Sequence, residues 1–204
     1  MTVSIASLFL QRQKTRLSLS KTTAPYPAIF SRQNLKASFT ADQTAMVNKI
    51  VSVHGDCKVV VATLDHIESI YPFMRVEDKI EAACMGHQPK EALEIAFKQD
   101  DVTLTALDKD DVPFAMFGVG QVEGLAYIWL LGTDGLPDNA YQFVKASKKY
   151  VKTLSKPYDC VFNFVHKDNK LAIKWLRFCG AKFIRSLEFS SQPFYEFIIT
   201  TKNT

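Results

Sequence analysis

Cysteine is sparse and unpaired in this chain: Cys57, Cys84, Cys160 and Cys179 are scattered, with no C-x-x-C pair among them. That spacing excludes a disulfide framework and a zinc site and fits a reducing compartment, where a thiol inside an apolar run packs as a small hydrophobe. Also missing is any stretch near the roughly 18 consecutive apolar residues that a membrane-spanning helix needs, so the chain reads as soluble with no membrane span. Acids are missing from residues 1 to 41, which nevertheless carry Arg12, Lys14, Arg16, Lys21, Arg32 and Lys36. The whole chain is at +4, so subtracting those six charges leaves the remainder at −2 (4 − 6). A net-negative body removes any global electrostatic argument for nucleic-acid binding.

What is present fits one domain with some chain to spare: 204 residues, 47% apolar and 23% charged, enough to bury a core without covalent staples. Residues 1 to 45 form a basic, Ser/Thr-rich arm containing Pro25 and Pro27. Three readings stay open for it: a disordered or partner-ordered arm, a targeting segment, or an extension ahead of a start at Met46. As a disordered arm it is also the part of the chain that could hold nucleic acid. The domain is expected over residues 46 to 204.

The pattern becomes regular at residue 57. CKVVVATL (57 to 64) is a β-branched run and reads as a strand. A helix is expected from Asp65 to Tyr71, ending at Pro72. A second, VEDKIEAACMG, would set Ile80, Ala83 and Cys84 on its inward face and stop at Gly86. A third, from residue 88 to 99, has Pro89 in its first turn and buries Leu93, Ala96 and Phe97. VTLTAL and VPFAMFGVG, separated by the polar turn DKDD, make a hairpin, and LAYIWLLG (125 to 132), apolar on both faces, is a central strand. A helix from Asn139 to Leu154 has Phe143, Val144, Val151 and Leu154 inside and Lys145, Lys148, Lys149 and Lys152 outside. CVFNFV is a buried strand reached by a right-handed crossover and therefore parallel to LAYIWLLG. A helix from Asn169 to Cys179 and the strands KFIRSLEF and PFYEFIIT complete the order β, α, α, β, β, β, α, β, α, β, β.

That order, with the spacing N-x-x-A-I-x-x-L-x-x-x-G at Asn169, Ala172, Ile173, Leu176 and Gly180, resembles the Gcn5-related N-acetyltransferase (GNAT) fold over about residues 57 to 200. The resemblance implies an α/β fold, a mixed central sheet flanked by helices, with Asn169 beside the pantetheine arm of acetyl-CoA and a phosphate-binding loop at Leu131, Gly132, Thr133 and Gly135. A narrower resemblance is carried by NFVHKDNKLAIKWLRFCGAKF, FYEFIIT, AYIWLLGTDG and MRVEDKIEAACMGHQPKEAL. These are similar to the small internal virion protein family of short-tailed phages of the T-seven group. It implies a role in virion assembly, partners among other phage virion or core proteins, and a location in the virion or the host cytoplasm.

Chemistry of the acetyltransferase kind needs a phosphate cradle, a base and an acid. The loop LLGTDGLPDN lacks the leading Arg or Gln of the usual pattern, carries Asp134 and Asp138, and loses one donor at Pro137. It reads first as a glycine-containing turn with Asp138 or Asn139 capping the next helix. Glu123 and His166 are the candidate bases, against readings as a solvated turn residue and a loop residue. The resemblance puts Leu176 where the fold commonly carries a Tyr acid, and Trp175 offers only an indole N–H. Asn163, polar in a buried strand, must find partners. Cys84, three residues from His87, reads as core and not as a nucleophile, because Gly86 intervenes and no orienting acid is evident. Lys170, Lys174 and Arg177 form a basic helix face. No metal site is expected and no cofactor, and the leading reading is a virion morphogenesis protein without catalysis; the alternative is an active N-acetyltransferase using acetyl-CoA.

Overall fold

In the computed structural model, Thr44 and residues 51–201 are described; apart from Thr44, the expectations for the arm at residues 1 to 45 and for a start at Met46 fall outside the described residues. Val59 at the heart of β2 (Cys57–Val61) is fully buried, and the strand stops earlier than its β-branched run suggests because Thr63 turns the chain into helix α1 (Leu64–Ile70). The Thr63 hydroxyl accepts the N–H of His66 while the His66 ring accepts the N–H of Thr63, a reciprocal cap that satisfies two end donors. Ahead of β2 lies a short strand that hydrophobic patterning did not predict, β1 (Ser52–His54), antiparallel to β2 across Gly55. A 3₁₀ turn over Tyr71–Phe73 leads into α2 (Val76–Cys84), and α3 (Pro89–Gln99) follows with Gln88 and Glu91 closing its first turn.

The meander β3 (Val102–Leu107), β4 (Pro113–Val122) and β5 (Leu125–Gly132) is followed by α4 (Ala140–Ser155), β6 (Cys160–His166) and α5 (Lys170–Phe178). β7 (Lys182–Phe189) and β8 (Gln192–Thr200) close the chain as a hairpin. Among the described residues eight strands make one sheet in the order β1-β2-β3-β4-β5-β6-β8-β7, so β8 turns back inward and leaves β7 at the edge. Gly120 marks a close approach within the meander: a Cβ there would lie 2.6 Å from Asp100 Oδ1 and 2.6 Å from the Tyr127 hydroxyl. Its absence lets Asp100 accept from both Tyr127 Oη and Trp129 Nε1.

Helices cover both faces. On one, α4 and α5 press Phe143, Tyr150, Leu154, Ile173 and Leu176 onto the sheet, with Phe143 edge-on to Phe114 and Phe117 at centroid distances of 5.9 and 5.6 Å. Each such buried aromatic contributes about 2–3 kcal/mol of transfer free energy. On the other, α1 and α3 bring Ile67, Ile70, Ala92 and Leu93 against Met116 and Leu131. The α4 face follows the expected pattern, with Lys145, Lys148, Lys149 and Lys152 exposed. The α2 face does not. Ile80 and Ala83 point to solvent, Cys84 is buried as expected, and the inward side carries Asp78 and Ala82.

Antiparallel pairing holds everywhere in the sheet except between β5 and β6, which run parallel and touch at one register position, Tyr127 opposite Phe162. Past that point the two strands diverge, and the helices cannot fill the fork.

Candidate functional site

The fork encloses a cavity of about 140 Å³, walled by Ile128 to Leu131 of β5, Asn163 to Val165 of β6, and side chains from α2, α3, α4 and α5. Where the ladder between β5 and β6 stops, Asn163 takes over part of its work. Its Nδ2 donates to the Ile128 carbonyl at 2.8 Å, and its Oδ1 accepts the N–H of Phe164 at 2.8 Å. The polar residue in an otherwise apolar strand is thus the link that steadies the opening of the fork.

Helix α2 lies across this opening like a strap, and its residues explain how. Residues 78, 81, 82 and 85 share one face at helical spacing, and Asp78, Glu81, Ala82 and Met85 all line the cavity. Two of the four are carboxylates, each taking up an N–H group at the end of a different strand. Asp78 Oδ2 accepts the N–H of Gly132, at the end of β5, at 2.7 Å. Glu81 Oε1 accepts the N–H of His166, at the end of β6, at 3.0 Å, and an Asn169 Nδ2–H at 2.9 Å. The strap therefore holds both prongs of the fork.

Charge accounts for the cost of this arrangement. Asp78 is 1% exposed, and the equally hidden Arg75 grips it in a fork, Nε to Oδ2 at 3.0 Å and Nη2 to Oδ1 at 2.5 Å. Burial pushes the Asp78 carboxyl above its ordinary range, while Arg75 and the Gly132 N–H pull it back. Among the described residues no cation forms an ion pair with Glu81, whose partners are the His166 N–H and the Asn169 amide. Burial and the nearby Asp78 raise it to about 7, against the hydrogen bonds from Asn169 and His166.

The strap also closes the loop after β5. The Arg75 N–H donates to the Gly132 carbonyl at 2.9 Å, the Asp134 N–H donates to the Phe73 carbonyl at 3.0 Å, and Met74 pairs with Thr133 as an antiparallel bridge. The remaining donors turn inward: Thr133 N–H to the Phe114 carbonyl at 2.8 Å, Gly135 N–H to the Thr133 hydroxyl at 3.2 Å, and Leu136 N–H to the Thr133 carbonyl at 2.9 Å. Asn139 stands at the N-cap of α4 as expected, but its side chain donates to the Gly135 carbonyl at 3.1 Å instead of accepting from the helix.

The residues singled out from sequence separate into two groups. Leu131, Gly132, Thr133 and Gly135 do form the loop region at the end of β5, and Asn169 does stand beside the cavity on the opposite prong. Asn169 is 2% exposed, its Oδ1 caps α5 through the Ala172 N–H at 3.2 Å, and its Nδ2 is spent on Glu81. Leu176 is buried against the cavity, and the Trp175 indole donates to the Ser147 hydroxyl at 2.8 Å. Glu123 lies apart from them, exposed in the β4–β5 turn at the other end of β5, with φ of +50°. The His166 backbone reaches the site, but its ring turns away: Nε2 meets Gln192 Oε1 at 3.2 Å, Nδ1 accepts the Asp168 N–H at 3.2 Å, and the ring packs edge-on against Phe194. Glu81, Asp78 and Arg75 went unpicked from sequence. The signal was there in Arg75, Asp78 and Glu81 at successive three-residue steps, on a face that also carries Ala82 and Met85.

A central sheet that forks between parallel neighbours, with helices on both faces, defines this chain as an α/β protein of the GNAT-like, acyl-CoA N-acyltransferase-like fold. The acetyltransferase of the GNAT family from Bacillus anthracis superposes on it with a TM-score of 0.56 at 9% identity, over 74% of this chain and 98% of that one. Ard1 from Thermoplasma volcanium gives 0.55 at 12% identity over 73% and 100%. Spermidine N-acetyltransferase from Vibrio cholerae, solved in complex with CoA and spermine, gives 0.53 at 12% identity over 72% and 96%. More particularly, the family model described as "Bacteriophage T7, probable scaffold protein Gp13" matches residues 112–189, from the start of β4 to the end of β7 and hence both prongs of the fork. No curated protein matches the chain.

The residues present do not fit acetyl-CoA. A pyrophosphate needs several backbone N–H groups directed at it. Those of Gly132, Thr133, Asp134, Gly135 and Leu136 already have partners within the protein, and Asp134 and Asp138 stand exposed on the same loop. The Asn169 amide, from which the resemblance implies a pantetheine contact, already serves Ala172 through its oxygen and Glu81 through one of its two N–H groups.

Proposed function

We propose that this protein is a phage virion morphogenesis protein that works through contacts with other virion or core proteins, without catalysis, on a fold whose cofactor cleft is closed by its own residues. The carrying observation is that the N–H groups of residues 132–136 are all taken inside the protein, by Asp78, Phe114, Phe73 and Thr133, so the donors on which a thioester cofactor would depend are occupied. The family match over residues 112–189 supports the assembly role, and supports the virion as the place of action.

A thermal-shift titration tests the absence of a cofactor site. Acetyl-CoA at about 1 mM is expected to leave Tm unchanged, because a ligand stabilises the native state only as far as its concentration exceeds its Kd. A shift of several degrees would restore the N-acetyltransferase reading, for which Glu81, poised near neutrality beside the cavity, would be the base to examine.

The partner contacts have a candidate location. With its polar side turned to the fork, α2 and the turn before it leave Phe73, Val76 and Ile80 exposed at 66%, 62% and 40%. Their spacing of three and four residues makes one apolar stripe, the kind of surface that a virion protein partner would cover. Val76→Asp combined with Ile80→Asp is expected to leave Tm within about 1–2 °C, since surface changes move stability by within about 0.5 kcal/mol, yet to prevent incorporation into particles, read by mass spectrometry of purified virions. Normal incorporation of the double variant would remove α2 as the contact surface.

A further inference from the structure

The outer faces of α4 and α5 merge into a single basic surface. The helices are neighbours: the Trp175 indole donates to Ser147, and Lys148 Nζ lies 5.9 Å from the Phe178 ring centroid. Lys145, Lys148, Lys149 and Lys152 of α4 are exposed, as are Lys174 and Arg177 of α5. Neither helix contains an acidic residue. Among the described residues none of these six cations forms an ion pair, whereas Lys170 is set apart by its contact with Asp168 at 3.4 Å. Six uncompensated positive charges on a body whose net charge beyond residue 41 is −2 represent a strong segregation of charge.

We infer that this two-helix face binds the phosphate backbone of nucleic acid, without reading its sequence. Composition separates this partner from an acidic protein surface. Lysine is depleted at the cores of protein interfaces, which favour apolar and aromatic side chains, and here five of the six cations are lysines, with the exposed Tyr141, Leu171 and Phe178 confined to the ends of the two helices. Lysine ammonium groups, each a mobile point charge on a long stem, suit the repeated and uniform charge of a phosphodiester chain. Lys145, Lys149 and Lys152 span seven residues, about 10 Å along the helix, so consecutive phosphates can be met from one row. The site lies in the folded body, distinct from the basic residues 1 to 45, and is independent of whether the fork ever held a cofactor.

The test is fluorescence anisotropy of the full chain with a labelled DNA duplex of about 20 base pairs, across a salt series. If all six cations meet phosphates, log K should fall against log salt with a slope near −5, and affinity should drop roughly a thousandfold between about 50 and about 200 mM salt. Lys145→Gln, Lys149→Gln and Lys152→Gln combined should reduce the magnitude of the slope by about 3 with Tm unchanged, and Lys174→Gln with Arg177→Gln by about 2. Scrambling the duplex sequence should have no effect. Three results would overturn the inference: no binding at about 50 mM salt, wild-type affinity and slope in the triple variant, which would place binding on other basic residues, or capture of polyglutamate in preference to the duplex.

Discussion

Replacing Asp78 by alanine should lower the free energy of unfolding by about 3–5 kcal/mol, because it leaves one member of a buried ion pair without its partner. Arg75 and Asp78 are 6% and 1% exposed, and the carboxylate receives the guanidinium at two points together with the Gly132 N–H. Alanine strands all of these donors, and each orphaned buried group adds to the loss. Asp78→Asn offers an oxygen to Gly132 but leaves the guanidinium charge uncompensated, so its loss should be smaller and still exceed about 1 kcal/mol. The Glu94–Lys98 pair, at 3.4 Å on the exposed side of α3, supplies the contrast: removing Lys98 should cost no more than about 0.5 kcal/mol. Urea midpoints for the three variants measure the difference. A loss below about 1 kcal/mol for Asp78→Ala would mean that the strap is not what holds the end of β5.

The order of elements was legible because each carries its own punctuation. Gly180, at φ +90°, ends α5 with the Ala181 N–H returning to the Leu176 carbonyl at 2.9 Å, and Asn169 starts the same helix as its cap. The apolar run of β5 could be placed centrally, and that of β6 as buried, from composition alone. What periodicity could not supply was the orientation of α2. Its stripe of Ile80 and Ala83 is a credible inward face until Arg75, Gly132, His166 and Asn169 are known to meet Asp78 and Glu81 from the other side. Those partners stand up to 88 residues away in sequence, and local pattern holds no record of them. β1 escaped notice for a related reason: three residues paired on one side only give too short a pattern to read.

The candidate site illustrates the same limit. Sequence reasoning looked for a base at the ends of strands and chose Glu123 and His166, whereas the carboxylates that the fold brings to the fork ride on a helix. In sequence the acids and the proline of the loop at the end of β5 speak against a phosphate cradle. Its acids, though, are exposed, and the decisive feature is that its N–H groups are taken. Asp78 and Glu81 act at the ends of β5 and β6 as built-in acceptors, satisfying donors that a bound anion would otherwise satisfy.

Glu81 makes this closure sensitive to pH, with a sign that can be worked out. Its carboxyl is raised from an ordinary 4.5 to about 7, so the folded state holds the proton more tightly than the unfolded chain does. The resulting stabilisation is fully present below about pH 4.5 and is lost as pH rises through about 7. Asp100, raised from 3.8 to about 7 by burial against the hydrogen bonds of Tyr127 and Trp129, acts in the same sense. A shift of this size corresponds to on the order of 3 kcal/mol for Glu81. Glu81→Gln keeps an oxygen for the His166 N–H and the Asn169 amide while removing the charge that must be buried at high pH. The variant should therefore unfold at a higher temperature than wild type at about pH 8.5, by several degrees, and at the same or a slightly lower temperature at about pH 5. Paired melting curves at the two pH values decide the matter. An equal difference at both would show that Glu81 does not titrate in this window, and a lower Tm for the variant at high pH would show that the carboxylate charge itself holds the fork together.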